Sequence, residues 1–373
     1  MTLHLVALQA EHGDCLVLEH RRGSRIRRYL IDGGPHGVYA AHLEPYLTAV
    51  AAEGGGLEAV VLSHVHNDHV IGLLDLLVEV RRRRDTGLPP LIGLQALWHN
   101  SFSLVPGDDG LGPQVAGALA AAAAAASSAS GLAMPRAAAA IQGISEGDRL
   151  RREAIALGLP LNEPFPSREI LAETAPLMEL DGLRLRFVGP SRKTLEALRE
   201  EWLEWLREHG QAIADGDPQA AAQADRSVPN LSSVSILATS GRRSVLLTGD
   251  GLGSDLLRNL EDLGIVRAGR RVHVDVLKLP HHGSERNVDP DFLDRVTADR
   301  YVISANGRDD NPDFAALVWL VEAIRRQGRR AQLVATNRTE GIARLVAEHP
   351  PGRYGYRMRY LSPRKSWLRI PVG

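Results

Sequence analysis

The feature that most constrains this chain is a run of three histidines and one aspartate within six residues. It reads His64-Val65-His66-Asn67-Asp68-His69. Apolar residues 60–62 precede the run and predict a buried strand, and apolar residues at helical spacing follow it over 70–77. The run therefore lies where a strand ends and a helix begins, which is where α/β proteins place their functional sites.

The spacing within this run predicts a metal site. His64 and His66 are two residues apart, so on an extended segment both side chains point to one side. Asp68 and His69 follow on the turn and can face a second point. Imidazole nitrogen and carboxylate oxygen are the ligands that zinc and similar divalent ions take. The alternative interpretation is a polar loop whose histidines are only solvated, but four ligand-type residues in six argue against it.

Composition excludes several classes of protein. The 373 residues are enough for one large α/β domain, and the net charge of -1 gives no global basic field for nucleic acid. Because Cys15 is the single cysteine, we expect no internal disulfide and a cytoplasmic location. We also expect no signal peptide and no membrane association, since no apolar stretch is long enough to cross a bilayer.

The order His-x-His-x-Asp-His after an apolar strand resembles the signature of the metallo-β-lactamase fold superfamily. The resemblance implies an α/β fold, a four-layer αββα sandwich, formed by residues 1–373 as a single domain. The third predicted strand ends in Asp32-Gly33-Gly34, and an aspartate at this place in the superfamily supports the metal loop by hydrogen bonding. Asp32 matches that position and is predicted to lie behind the metal ligands.

The second half of the chain carries two further motifs of the superfamily. An apolar strand runs into Thr248-Gly249-Asp250, and another ends in Pro280-His281-His282-Gly283-Ser284. The resemblance implies that Asp250 bridges two metals and that His281 is the last metal ligand. His282 is left as a residue that supports the ligands or contacts substrate.

The motifs together resemble the extracellular metallo-β-lactamase-like domain of ComEC-type competence proteins and its soluble relatives. That resemblance includes Asn230-Leu231-Ser232-Ser233 and covers residues 1–100 and 177–340. Better-known hydrolases of the superfamily carry a third histidine where this chain has Asn230 and the adjacent serines, Ser233 among them. We therefore expect an asymmetric centre, in which the ion at His64 and His66 binds more weakly than its neighbour.

Residues 101–175 interrupt the pattern. The segment is rich in alanine, which favours helix but offers little surface for a core. We expect a helical insertion that forms a lid, a substrate wall or an inert excursion. His99 lies at the end of the strand before it and is predicted either to contact substrate or to have a structural role.

The function implied by the resemblance is metal-dependent hydrolysis. His64 and His66 would hold one divalent ion, and Asp68, His69 and His281 the other, with Zn²⁺ expected and Mn²⁺ an alternative. Asp68 and Asp250 are the expected catalytic carboxylates, and a hydroxide bridging the two ions would attack the substrate.

Three functions remain open from the sequence. A phosphodiesterase or nuclease is favoured, with a small-molecule or nucleic-acid phosphodiester as substrate. The alternatives are an ester, lactone or lactam hydrolase and a degenerate metal-binding regulatory module. The near-neutral charge argues against high-affinity binding of duplex DNA. The sequence predicts no oligomeric state.

Overall fold

The computed structural model describes residues 1–100, 136–166, 169–197, 200 and 232–373. Its first sheet has six strands and is built mainly from the N-terminal residues. These strands are β1 (Thr2–Leu8), β2 (Leu16–Arg22), β3 (Arg25–Ile31), β5 (Ala59–Val61), β7 (Leu97–Trp98) and β16 (Trp367–Val372). Their spatial order is β16-β1-β2-β3-β5-β7, in which β3, β5 and β7 are parallel neighbours.

The second sheet has eight strands, all from residues after 177. They are β8 (Met178–Leu180), β9 (Leu183–Gly189), β10 (Ser235–Ser240), β11 (Arg243–Leu247), β12 (Val272–Lys278), β13 (Val296–Ile303), β14 (Ala331–Ala335) and β15 (Tyr356–Tyr360). The spatial order runs from β15 back to β8 without a break, and β11 to β15 are parallel. Two short strands, β4 (Gly56–Leu57) and β6 (Gly93–Leu94), pair separately.

Helices cover the outer faces of both sheets. They are α1 (Glu44–Ala52), α2 (Asn67–Asp85), α3 (Arg136–Leu157), α4 (Gly253–Asp262), α5 (Pro290–Arg295), α6 (Phe314–Arg326), α7 (Glu340–Glu348) and α8 (Pro351–Tyr354). A π-helical turn, Tyr39–Leu43, leads into α1, and 3₁₀ turns occupy Pro280–Gly283 and Arg308–Asp310. Among the described residues no helix is both long and apolar enough to cross a membrane.

The alternation of β1 shows why the sheets stack. Leu3, Leu5 and Ala7 point into an apolar layer that also contains residues of the second sheet, such as Phe187. Val6 and Leu8 face the other way, into the apolar layer beneath α1 and α2. A third apolar layer lies between the second sheet and its helices. Three such layers separate four layers of secondary structure, so the predicted αββα sandwich is confirmed.

The last two strands close different sheets. β15 extends the edge of the second sheet beside β14, whereas β16 crosses to the first sheet and pairs with β1, with Ile370 opposite Leu5. Period-2 patterning marks a strand but not its partner, so only the structure shows which sheet each strand joins.

The described part of the 101–175 segment lies against α2. α3 contacts α2 along its length, with an ion pair of 3.0 Å between Arg81 and Glu153 and a hydrogen bond of 2.6 Å from Arg84 to the carbonyl of Ala156. Residues 101–135 lie outside the described residues. The extent and role of the insertion therefore stay a prediction.

Candidate metal centre

The 64–69 run forms a loop between β5 and α2, as its flanking residues predicted. His66 is the N-cap of α2, and His64 Nε2 lies 3.0 Å from His66 Nδ1. Asp68 sits in the first turn of α2, where the helix dipole favours a carboxylate. The predicted strand-to-helix junction thus holds the four side chains at one edge of the first sheet.

Asp32 supports this loop from behind. It follows β3, which is the parallel neighbour of β5, and its Oδ1 accepts a hydrogen bond of 2.7 Å from the backbone N–H of Ser63. Its Oδ2 accepts from Ser63 Oγ at 2.7 Å and lies 2.9 Å from His69 Nδ1. A carboxylate on one ring nitrogen fixes the orientation of the imidazole and leaves His69 Nε2 directed at the cluster.

Asp32→Asn is expected to weaken metal binding by about 10- to 100-fold, the usual cost of losing a hydrogen-bond partner of a ligating histidine. The amide keeps the shape of the side chain but removes the negative charge that Asp32 places beside His69 Nδ1. Calorimetric titration of metal-stripped protein measures the change, and Asp275→Asn, at a carboxylate that accepts from Ser244 on β11, is the control. Equal affinities for Asp32→Asn and the wild type would contradict the role given to Asp32.

Asp250 joins the two halves of the chain. It follows β11, is fully buried, and its Oδ2 lies 3.4–3.6 Å from the Nε2 atoms of four imidazoles. The four are His64, His69, His281 and His282. The backbone N–H of Asp250 donates to Ser233 Oγ at 3.1 Å, so Ser233 holds the carboxylate loop. Asn230 lies outside the described residues.

The two neighbouring histidines occupy different positions. His282 is buried and its Nε2 lies 3.3 Å from Asp68 Oδ2, so it groups with Asp68 and His69 as a set that could hold one ion. The His281 side chain is 24% exposed, and its Nδ1 lies 2.6 Å from Asn287 Oδ1. The superfamily resemblance implies that His281 is the last metal ligand. The geometry favours His282 at the Asp68 side of the cluster.

One further carboxylate of the cluster, Asp14, was not predicted from the sequence. Asp14, which precedes β2, is buried and shares potential metal-ligating groups with Asp32 and His69, and with Asp250 and His282. Only a Gly-Asp pair before an apolar strand marks it in the sequence, and many simple turns share that signal.

The buried polar atoms of the cluster fit divalent metal ions. Both carboxylate oxygens of Asp250 and the Nε2 atoms of His69 and His282 are buried and make no hydrogen bond among the described residues. Such atoms are costly to bury unless something satisfies them. Four carboxylates meet here against one lysine, Lys278, which leaves three uncompensated negative charges. Two divalent ions and one hydroxide would balance them.

The same electrostatics show in the histidines. Burial opposes protonation of His69, yet Asp250, Asp68 and Asp32 outweigh it and raise the His69 pKa well above its ordinary value. Burial likewise opposes protonation of His282, but Asp250 and Asp14 raise its pKa to about 9. In the absence of metal, the carboxylates therefore favour protonation of His69 and His282, the same residues that would bind cations.

His99 follows β7, the parallel neighbour of β5, at the same edge of the first sheet as the 64–69 run. Its backbone N–H donates to Asn162 Oδ1 at 2.8 Å, and burial, reinforced by the Arg151 guanidinium of α3, lowers its pKa to about 4. The ring is buried beside the described part of the insertion, and none of the potential metal-ligating groups among the described residues includes it. This position supports the structural alternative for His99.

His99 should make the folded protein sensitive to acid. The unfolded chain binds a proton near pH 6.5, but the folded chain resists it until about pH 4, so stability falls as the pH drops between these values. The loss is about 3 kcal/mol for a shift of this size. Urea unfolding of chelator-treated protein at pH 7 and 4.5 should show a smaller loss in His99→Gln than in the wild type. An identical pH dependence of the two proteins would contradict this assignment.

Two comparisons with known proteins found matches. Residues 10–80 match the family model described as the metallo-beta-lactamase superfamily. Among solved structures, the chain is similar to the metallo-beta-lactamase fold protein YhfI from Bacillus subtilis, at 10% identity and a TM-score of 0.43 over 99% of each chain. No curated protein matches. The matched 10–80 stretch contains Asp32 and the 64–69 run, whereas Asp250 and the Pro280–Gly283 turn lie beyond it.

Proposed function

We propose, from the superfamily match of residues 10–80 and the geometry of the cluster, that this chain is a metal-dependent hydrolase that cleaves phosphodiesters. The observation that carries the metal dependence is the convergence of buried, unsatisfied ligand atoms on Asp250. These atoms favour a protein that binds metal over a fold that has lost its metal, and assays of activity separate the hydrolase from a metal-binding regulatory module.

The proposed ligand sets combine the distances in the cluster with the sequence motif. Asp68, His69 and His282 would hold one divalent ion, and His64 and His66 the other. Asp250 would be shared, and His281 would lie at the more exposed side. When bound, two such ions lower the pKa of a shared water and stabilise a developing oxyanion. Zn²⁺ suits the imidazole-rich set, and Mn²⁺ is the alternative if Asn230 takes part.

The protein groups supply orientation and a place for a proton. Asp32 orients His69, and Asp250 lies buried at the centre of the cluster. The Asp68 side chain is 22% exposed, so it reaches the mouth of the site. Burial opposes its ionisation, but His69 and His282 hold the Asp68 pKa well below the ordinary range. The ionised Asp68 can therefore orient the attacking water.

The mouth of the site favours an anionic substrate. His12 lies close enough to Asp68 and His282 for their charges to act on its pKa, and Arg308 Nη1 lies 3.2 Å from His12 Nε2. The Arg308 side chain is 63% exposed, so a ligand can reach its guanidinium, although its Nε lies 3.8 Å from Asp309 Oδ2. Arginine matches the geometry of phosphate oxygens, whereas neutral ester, lactone and lactam groups offer no charge to pair with it.

A substrate panel tests this proposal. Purified protein with Zn²⁺ or Mn²⁺ is assayed on bis(p-nitrophenyl) phosphate and on a neutral nitrophenyl ester, a lactone and a lactam. Phosphodiester cleavage supports the favoured function, and cleavage of a neutral substrate alone supports the second function. A protein that binds metal but cleaves none of these substrates supports the metal-binding regulatory module, and a protein that binds no metal refutes the metal dependence.

Arg308→Met is expected to raise KM for the phosphodiester about tenfold, since a hydrogen bond to a charged group contributes about 1.5–3 kcal/mol. Turnover of any neutral substrate should stay unchanged. Arg258→Met, at an exposed arginine paired with Asp255 on α4, is the control. An unchanged phosphodiester KM would remove Arg308 from substrate recognition.

The finer assignments rest on the sequence motifs. We also propose kinship with the ComEC-type domains, a nucleic-acid substrate and a cytoplasmic location. The Asn230→His variant tests the asymmetry of the centre, because a third imidazole should tighten the weaker of two metal-binding events.

A further inference from the structure

A lysine and an aspartate are buried together beneath the cluster. Lys278 is the last residue of β12, and its side chain is fully buried. Its Nζ lies 2.6 Å from Asp14 Oδ2, and the Asp14 side chain is 1% exposed. Nζ also donates to the carbonyl of Leu279 at 3.0 Å. Lysine is among the residues least often fully buried, so a buried lysine at this position indicates a specific role.

Stability is a weak reason for such a pair. Removing two charges from water costs free energy that their mutual attraction often fails to recover, and apolar replacements are often neutral or stabilising. The surroundings suggest another reason, because both residues contact the turn that carries His281 and His282.

The pair faces the inner side of His282. Asp14 Oδ1 lies 3.6 Å from His282 Nδ1, and the same nitrogen lies 2.8 Å from the carbonyl oxygen of Ser304. Nδ1–H therefore donates to Ser304, and Nε2 is left to face Asp68 and Asp250. Ser304 Oγ in turn donates to the carbonyl of Gly13 at 2.6 Å, which ties this contact to the Asp14 segment.

The turn itself has an unfavourable backbone. His281 has φ 44° and His282 has φ 57°, the left-handed region that non-glycine residues rarely adopt. Such a conformation persists only where the surroundings hold it. Lys278 holds the start of the turn through the Leu279 carbonyl, while its own carbonyl accepts a hydrogen bond of 2.8 Å from Thr248 Oγ1.

We propose that Asp14 and Lys278 are a positioning pair, which fixes the His282 ring and its turn so that Nε2 is presented to a metal ion. Lys278 occupies one oxygen of Asp14 and keeps that carboxylate behind the histidine rather than among the ligands. The proposal rests on the proposed metal centre. Neither residue is a ligand, so the predicted effect is on metal affinity at the Asp68–His69–His282 set.

Metal affinity separates this role from a structural one. Asp14→Asn, Lys278→Met and the double variant are stripped of metal and titrated calorimetrically with Zn²⁺ at one pH, and their thermal unfolding is followed in chelator. Arg28→Met is the matched control, because Arg28 is equally buried and pairs with Glu19 at 2.9 Å within the first sheet.

The single variants should each lose about 10- to 100-fold in affinity for one of two Zn²⁺ ions, as expected for partners of a ligating histidine. The double variant should lose no more than the worse single variant, because both act through one pair. Arg28→Met should unfold at a lower temperature with unchanged Zn²⁺ affinity.

Other results would refute either the positioning role or the proposed function. If the wild type binds two Zn²⁺ ions and both single variants bind them equally well, the positioning role is wrong and the proposed function stands. A loss of affinity in Arg28→Met as large as in Lys278→Met also overturns it. A wild type that binds no metal overturns the proposed function and this inference with it. If a single variant fails to fold, the double variant, which buries no unpaired charge, decides in its place.

Discussion

Asp250→Ala is expected to abolish metal-dependent hydrolysis, lowering kcat/KM by at least about a thousandfold, which corresponds to about 4 kcal/mol of transition-state stabilisation. Asp250 Oδ2 lies within 3.6 Å of four imidazoles, two from each half of the chain. Without Asp250, the four imidazoles lose the carboxylate that they share. Each ion would then lack one of its ligands. Metal content after dialysis should fall from two ions to one or none.

The control for Asp250→Ala is Asp275→Ala. Asp275 lies on β12, where it accepts hydrogen bonds from Ser244 and is remote from the imidazoles. Its removal should lower the free energy of unfolding but leave metal content and turnover unchanged. If Asp250→Ala retained both ions and near wild-type turnover, the shared role of Asp250 would be wrong.

His282→Ala should remove one of the two ions and lower turnover by a factor of about a thousand, whereas His281→Ala should keep both ions in place. The reason is geometric. His282 is 3% exposed and its Nε2 lies 3.3 Å from Asp68, but His281 is 24% exposed and its Nδ1 faces Asn287. Metal analysis by mass spectrometry, together with kcat and KM for the favoured substrate, measures both variants.

The two histidines serve as each other's control, since both lie on the Pro280–Gly283 turn. Circular dichroism should show the same fold for both variants. The opposite outcome, in which His281→Ala loses an ion and His282→Ala does not, would restore the assignment made from the superfamily motif. Equal losses in both variants would show that each histidine holds metal.

The sequence by itself determined the local parts of this site. His64, His66, Asp68 and His69 lie within six residues, so strand and helix periodicity alone placed them at the end of β5 and the start of α2. The resemblance to the superfamily implied the role of Asp32, and the structure adds its hydrogen bonds to Ser63. The sandwich followed from the same motifs and is confirmed by three separate apolar layers.

Only the tertiary structure decided which distant residues meet. Asp14 and Lys278 are separated by more than 260 positions, and neither has a local pattern that marks it as part of the site. The choice between His281 and His282 depends on the left-handed backbone of one turn, which turns His282 inward. Periodicity along a chain reports which face a residue occupies, but contacts between sheets depend on how those faces stack, and no local pattern encodes that.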